Sequence, residues 1–471
     1  MGWDCPFPTC KKRGKDGFRR RDDLISHCRD VHKLDSQRHL LRNALHEAAS
    51  NGQTSTVERL LAEGAPVGSP DFLKLTPLHF AASKGHTSTV ELLLSKGAST
   101  EAISSSGNTP LHEAALQGFT STAELLLSKG ASTEATNSSG NTPLHEAASK
   151  GFTSTVELLL EKGASIEHVN SAGNTPLHCA AIGGYTMTVV LLLEKGASIE
   201  ATDKSNDTLL HLAARESDTD TVQLLLSKGA STEAINSSGN TPLHEAASKG
   251  CISTMELLLS KGASTEPINF DKSTPLHEAA SNGRTSTVEL LLSEGASIEV
   301  MDKSNNTPLH LAASRGYTDL VKLLLSKGAS TEARDVFSNT PLHLAARDGD
   351  TDIVNLLLSK GASPEALNSS KNTPLHEAAS KGHTSTVELL LSKGVSIEAK
   401  DGSDYTPLHW AAKNGHTSTV ELLLGKGASI EALNTFSQTP LQVAAHHQHP
   451  DIVKLLQDKA AELSLSHHGN T

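Results

Sequence analysis

Cys5 and Cys10, followed by His27 and His32, are the residues of this chain best suited to chemistry. Two thiolates and two imidazoles can close a tetrahedron around Zn2+, which takes nitrogen and sulfur ligands of this kind. The spacings are Cys-x4-Cys and His-x4-His, with sixteen residues between Cys10 and His27. Cys28, beside His27, is a spare thiol whose helical direction makes it the poorer ligand. Cys179 and Cys251 are isolated, so the five cysteines form no disulfide framework and a reducing compartment is expected. The chain has 24 histidines, and twelve of them, from His46 to His409, recur at one place in a repeated tetrapeptide. That regularity assigns them to the fold, through local hydrogen bonding. His446, His447, His449, His467 and His468 gather near the C-terminus without a Cys or a fixed spacing that would argue for metal. No Gly-rich phosphate loop, nucleophile elbow or catalytic carboxylate pair occurs, so the chain is not expected to be an enzyme.

The run Phe18-x5-Leu24-x2-His27-x4-His32, behind the two cysteines, resembles a C2H2 zinc finger. The resemblance implies a small ββα domain over residues 1–33, with Phe18 and Leu24 as a core that metal closes. The gap from Cys10 to His27 exceeds the usual length of about twelve, and the extra residues fall in the basic loop before Phe18. Arg20, Asp23 and Ser26 align with the family's base-reading positions, and Arg20 could grip guanine bidentately. One finger covers only about 3 bp, too little for useful specificity alone. A metal-stapled protein-contact module is therefore the first reading, and a nucleic-acid-associated regulator the alternative. The basic run Lys11–Lys15 with Arg19–Arg21 reads equally as a nuclear-import signal or a solvated loop.

The remaining composition needs a different architecture. Of 471 residues, 37% are hydrophobic but only 3% aromatic, which suits short helices packed closely rather than one large irregular core. Residues 1–42 hold 11 Lys or Arg against 6 Asp or Glu, whereas the rest of the chain carries a net −17. The basic end could approach phosphate and the acidic body would repel it, so nucleic acid is expected only through residues 1–33. No apolar run is long enough to span a membrane and no signal-peptide core is present, so an intracellular location, cytoplasmic or nuclear, is expected.

Thr-Pro-Leu-His, or its equivalent, begins at 43 and recurs every 33 residues to 439, thirteen times. The residues explain a helical hairpin. In the unit from Asn137 to Val169, Gly140-Asn141 makes a turn, Thr142 caps a helix and Pro143 takes its first position. Leu144, Ala147 and Ala148 form a narrow apolar face, and Gly151 suits a left-handed helix end. Val156, Leu158, Leu159 and Leu160 supply the apolar side of a second helix that Gly163 ends. The period and the Thr-Pro-Leu-His-x-Ala signature resemble the ankyrin repeat. The resemblance implies an all-α fold, an ankyrin-repeat solenoid over residues 38–466 with a polar tail at 467–471, and a scaffold that binds other proteins through hairpin tips and the inner helical face.

Terminal units deviate as caps should, with Asn43-Ala44 at one end and Gln442 and Gln448 at the other. A monomer is expected. The sixth unit has Leu209 for Pro and Glu216-Ser217 in place of its Gly, and is expected to be weaker and more mobile. Ser-Thr-Glu or Ser-Ile-Glu replaces the family's usual run after the second helix, as at Ser132-Thr133-Glu134. Glu146, Glu245 and Glu377 stand four residues before Lys150, Lys249 and Lys381, so i,i+4 ion pairs and a locally neutralised surface are expected. Most hairpin tips are bland, which singles out Phe72, Phe270, Phe337, Tyr405 and Phe436, with Trp410 on the inner face, as partner-binding candidates. Their alternative role is to fold over the neighbouring repeat. The stretch from Phe337 to Phe436 is the expected main docking surface.

Overall fold

A computed structural model describes residues 38–468, with side chains to Leu463. The chain divides into two compact units, Met1–Ala213 with Gln223–Ala230, and Ala214–Val222 with Ser231–Thr471. Among the described residues both are all-helical, and the one strand-like pairing is an isolated bridge between Thr202 and Thr208.

In the first unit the fourth repeat shows how the sequence makes its hairpin. Thr142 is extended (φ −86°, ψ 167°) and Pro143 starts the helix Pro143–Ala148, where a missing N–H costs nothing. The second helix is Thr153–Glu161. Leu144, Ala147, Ala148, Val156 and Leu159 are wholly buried. The first helix packs on its counterparts Pro110–Leu116 and Pro176–Ile182, and the second on Thr120–Ser128 and Thr186–Glu194. A buried leucine gains about 2 kcal/mol over an exposed one. An isolated hairpin could not hide either face, so stability comes from stacking.

The tetrapeptide histidine reaches farther than local bonding. Nδ1 of His145 accepts from the Thr142 N–H at 3.2 Å. Nε2 therefore carries the proton and donates to the Asn174 carbonyl at 3.0 Å, 29 residues onward in the next repeat. Burial pushes the His145 pKa down to about 4, so the ring is neutral. Other bland residues also tie repeats together. Thr120 and Thr155 share a hydroxyl bond at 2.8 Å. Glu134 Oε1 accepts from the Ser165 N–H at 2.9 Å, which gives the Ser-Ile-Glu run a structural role.

The second unit repeats this plan. His376 Nε2 lies 3.0 Å from the Tyr405 carbonyl, the Thr384 and Thr419 hydroxyls pair at 3.0 Å, and Glu365 accepts from the Ser396 N–H at 2.6 Å. The glycine between the two helices has two duties, seen at Gly85 in the first unit. Its φ is +71°, and a Cβ there would lie 2.4 Å from Phe119 Cδ1, because the ring of the next repeat lies across it.

The end repeats differ for local reasons. Without the Thr-Pro stop, the first helix runs through Asn43, and among the described residues it continues to residue 50. In the last repeat Gln442 Oε1 accepts from the Thr439 N–H at 2.9 Å, the capping half of the histidine's work. The second helix of this repeat, Pro450–His468, has 19 residues against nine elsewhere. Around the sixth repeat, Ser217 takes φ +60° in place of glycine and contacts Cys251. Asp218 Oδ2 and Thr221 Oγ1 are buried there without hydrogen-bond partners.

Candidate functional site

The candidate residues lie on the hairpin tips and on the exposed side of the first helices. Each tip is a rigid turn. In the second unit, Asp335 Oδ1 accepts from the N–H groups of Phe337 and Asn339, both at 2.8 Å, while Ser338 takes φ +59°. Asn434 Oδ1 holds Phe436 and Gln438 at 2.9 Å in the same way, with Ser437 at φ +54°. In the first unit Asp71 Oδ1 accepts from Leu73 and Leu75. These side-chain turns fix the backbone and leave the rings outside. Phe72 is 89% exposed, and Phe270, Phe337 and Phe436 are also largely exposed. Phe270 additionally lies close over Gly239 of the preceding tip.

Tyr405 departs from the expected exposed tip. It is only 9% exposed, because it sits where the hairpin enters the helix rather than at the turn. Its N–H donates to Asp401 Oδ1 at 2.9 Å, and its ring lies 5.3 Å from His409 and 5.5 Å from Trp410. Trp410 is half-buried in the helix Pro407–Lys413. Its Nε1–H donates to Asp401 Oδ2 at 2.9 Å, and the Lys413 ammonium lies 4.4 Å from its ring centroid. The indole edge and one face are thus engaged within the protein.

The inner-face glutamates also depart from expectation. Glu146 accepts from Asn137 and Asn141 at 2.9 Å each, and Glu377 from Asn368 at 3.0 Å and Asn372 at 2.9 Å. Glu245 accepts from Asn236 and Asn240 at 3.1 Å each and pairs with Arg215 at 3.0 Å. None of the three pairs with the lysine four residues on. The turn amides are preorganised beside the carboxylates, whereas a lysine loses rotamer freedom in order to pair. Burial raises the Glu113 and Glu278 pKa values, with Glu146 and Glu245 respectively adding like charge.

A further apolar feature runs along the hairpins at the repeat period. Six residues before the capping threonine, the second unit exposes Ile235, Ile268, Met301, Leu367 and Leu433. The signal was present as apolar residues recurring at the period of 33 within a polar loop.

Cys5, Cys10, His27 and His32, with Arg20, Asp23 and Ser26, lie outside the described residues. Among the described residues no group of His, Cys, Asp and Glu could hold a metal ion, and no helix is long and apolar enough to cross a membrane. Burial pushes the Cys179 thiol up to about 12, which leaves it unreactive as a nucleophile at neutral pH.

A search of curated proteins finds no match. The family model described as ankyrin repeats (3 copies) matches residues 45–137, 130–203, 188–269, 264–335, 330–401 and 398–467.

Proposed function

The chain belongs to the ankyrin-repeat family, whose repeats are generally protein–protein interaction modules, and on that premise we propose that it is a non-enzymatic scaffold whose partners dock on the hairpin tips. The supporting observation is the set of phenyl rings held outward on fixed turns, Phe337 and Phe436 above all. An exposed ring on a rigid backbone loses little entropy on binding and buries a large apolar area. The inner face beside Trp410 continues this surface. The bland repeat residues, consumed in ties between repeats, contribute rigidity rather than recognition.

Affinity capture with the full chain tests this reading. Phe337→Ser together with Phe436→Ser should strip partners that the wild type retains, with the circular dichroism melt unchanged. Undiminished recovery would move the docking surface elsewhere.

The Cys5, Cys10, His27 and His32 set is read as a structural zinc site, on the chemistry of its donors. Native mass spectrometry of the full chain should show one bound zinc, lost in Cys5→Ser with Cys10→Ser.

A further inference from the structure

The character of the inner face changes in the last two repeats of the second unit. Where the other repeats of this unit carry Glu245, Glu278, Leu311, Leu344 and Glu377, these carry Trp410 and Val443. Three residues later stand Lys413 and His446, where the other repeats have Ser248, Ser281, Ser314 and Ser380, or Arg347 paired with Asp348 at 3.6 Å. A groove of about 270 Å³ opens here, lined by Tyr405, Phe436, Gln438, Val443, His446 and His447. Phe436 forms an exposed apolar wall, 72% accessible. The His446 and His447 rings meet edge to face, with centroids 5.1 Å apart. Lys413 stands over the ring of Tyr405 at 5.5 Å and that of Trp410 at 4.4 Å.

The nearby carboxylate does not neutralise these groups. Asp401 is buried, and it accepts from Trp410 Nε1 through Oδ2 and from the Ser403 and Tyr405 amides through Oδ1. Burial, and then His446, Lys413 and His449, hold the His447 pKa below its ordinary value, so near neutral pH its ring meets a carboxylate as an N–H donor beside the Lys413 ammonium.

We infer that this groove binds an acidic peptide segment, with a carboxylate side chain met by Lys413, His446 and His447 and an adjacent apolar side chain laid against Phe436. The inference rests on the tips being the docking surface and names the chemistry of the partner. A polyanion fits poorly. The hairpins of this unit carry Glu266, Glu299, Glu332, Glu365, Glu398 and Glu431 in register, and that row repels an extended line of phosphates. A short segment presents its carboxylates at one groove and avoids the row.

The test uses the full chain with EDTA present throughout, so that no metal bridges the imidazoles. Fluorescein-labelled peptides of alternating Glu and Phe are compared by anisotropy with Lys-and-Phe and Glu-and-Ser counterparts and with a short DNA duplex. The Glu-and-Phe peptide should bind at least about ten-fold more tightly than each of the others. Lys413→Glu with His447→Glu should weaken it by about ten-fold or more, and Phe436→Ser should weaken it without reversing the charge preference. Both variants alter accessible side chains, and a circular dichroism melt confirms the fold. Equal binding of the Lys-and-Phe peptide or the duplex, no binding at all, or indifference to the charge reversal would overturn the inference. If the tip variants lose captured partners while the charge-reversed chain keeps them, the scaffold reading stands and the acidic-segment inference fails. If neither loses partners, the docking surface itself is wrong.

Discussion

The fourth repeat, in the first unit, and the twelfth, in the second, solve the same packing problem with opposite polarity. In the fourth, Asn137 at the hairpin base donates to Glu146 on the first helix at 2.9 Å. In the twelfth, Trp410 occupies the position of Glu146 and donates to Asp401, in the position of Asn137, also at 2.9 Å. The hydrogen bond survives with donor and acceptor exchanged. The carboxylate has moved from the helix to the hairpin base, and the helix face now presents an indole. The cap beneath is unchanged, since Thr142 donates to His145 and Thr406 to His409, each at 3.2 Å. Between these two repeats the threonine–histidine cap is held constant, and chemical character varies on the helix face.

Acid should break both repeats together. An unfolded imidazole titrates near 6.5. His145 titrates near 4 in the folded chain, and burial also lowers His409, His277 and His376. Unfolding then takes up protons, so the contribution to stability is complete above pH 6.5 and declines as pH falls through 6.5 toward the folded values. Each such histidine costs up to about 1.4 kcal/mol per pH unit within that window. The urea midpoint should therefore drop steeply between pH 6.5 and 5. A flat profile would mean that the rings are not buried neutral.

Removing one ring has a smaller effect. His145→Ala and His409→Ala should each cost about 2–3 kcal/mol in urea unfolding, from a lost cap, a lost tie and a cavity. Gln442→Ala in the last repeat should cost about 1 kcal/mol or less, because Gln442 performs only the capping half. Equal losses would show that the tie to the following repeat contributes little.

The exchanged pair allows a sharper cycle. Trp410→Glu alone sets two carboxylates together at Asp401 and should destabilise by about 2 kcal/mol. Adding Asp401→Asn rebuilds the arrangement of the fourth repeat and should restore most of that loss. Additive losses in the double variant would break the equivalence of the two pairs. Smallest of all, Lys150→Ala should change stability by less than about 0.5 kcal/mol, since Glu146 bonds to asparagines.

Much of the hairpin could be read directly. Thr142, Pro143, Gly151 and Gly163 mark helix ends by backbone rules that need no neighbour, and the structure places the ends there. Tyr405 could not be placed that way. One residue separates an exposed turn from a buried helix entry, and that step is settled by the Asp401 turn and the His376 tie. On an ideal helix the neighbour of Glu146 is Lys150, and the competing amides come from a loop whose path a helical wheel omits.

The amino-acid sequence alone determined the period, the helices and the apolar faces, because caps, glycines and leucine spacing act over a few residues. Only the tertiary structure decided which side chains remain available. Whether His145, Glu134 or Trp410 is spent or free depends on an atom some nine to thirty-one residues away that the fold of the hairpin or the stacking of repeats brings to about 3 Å.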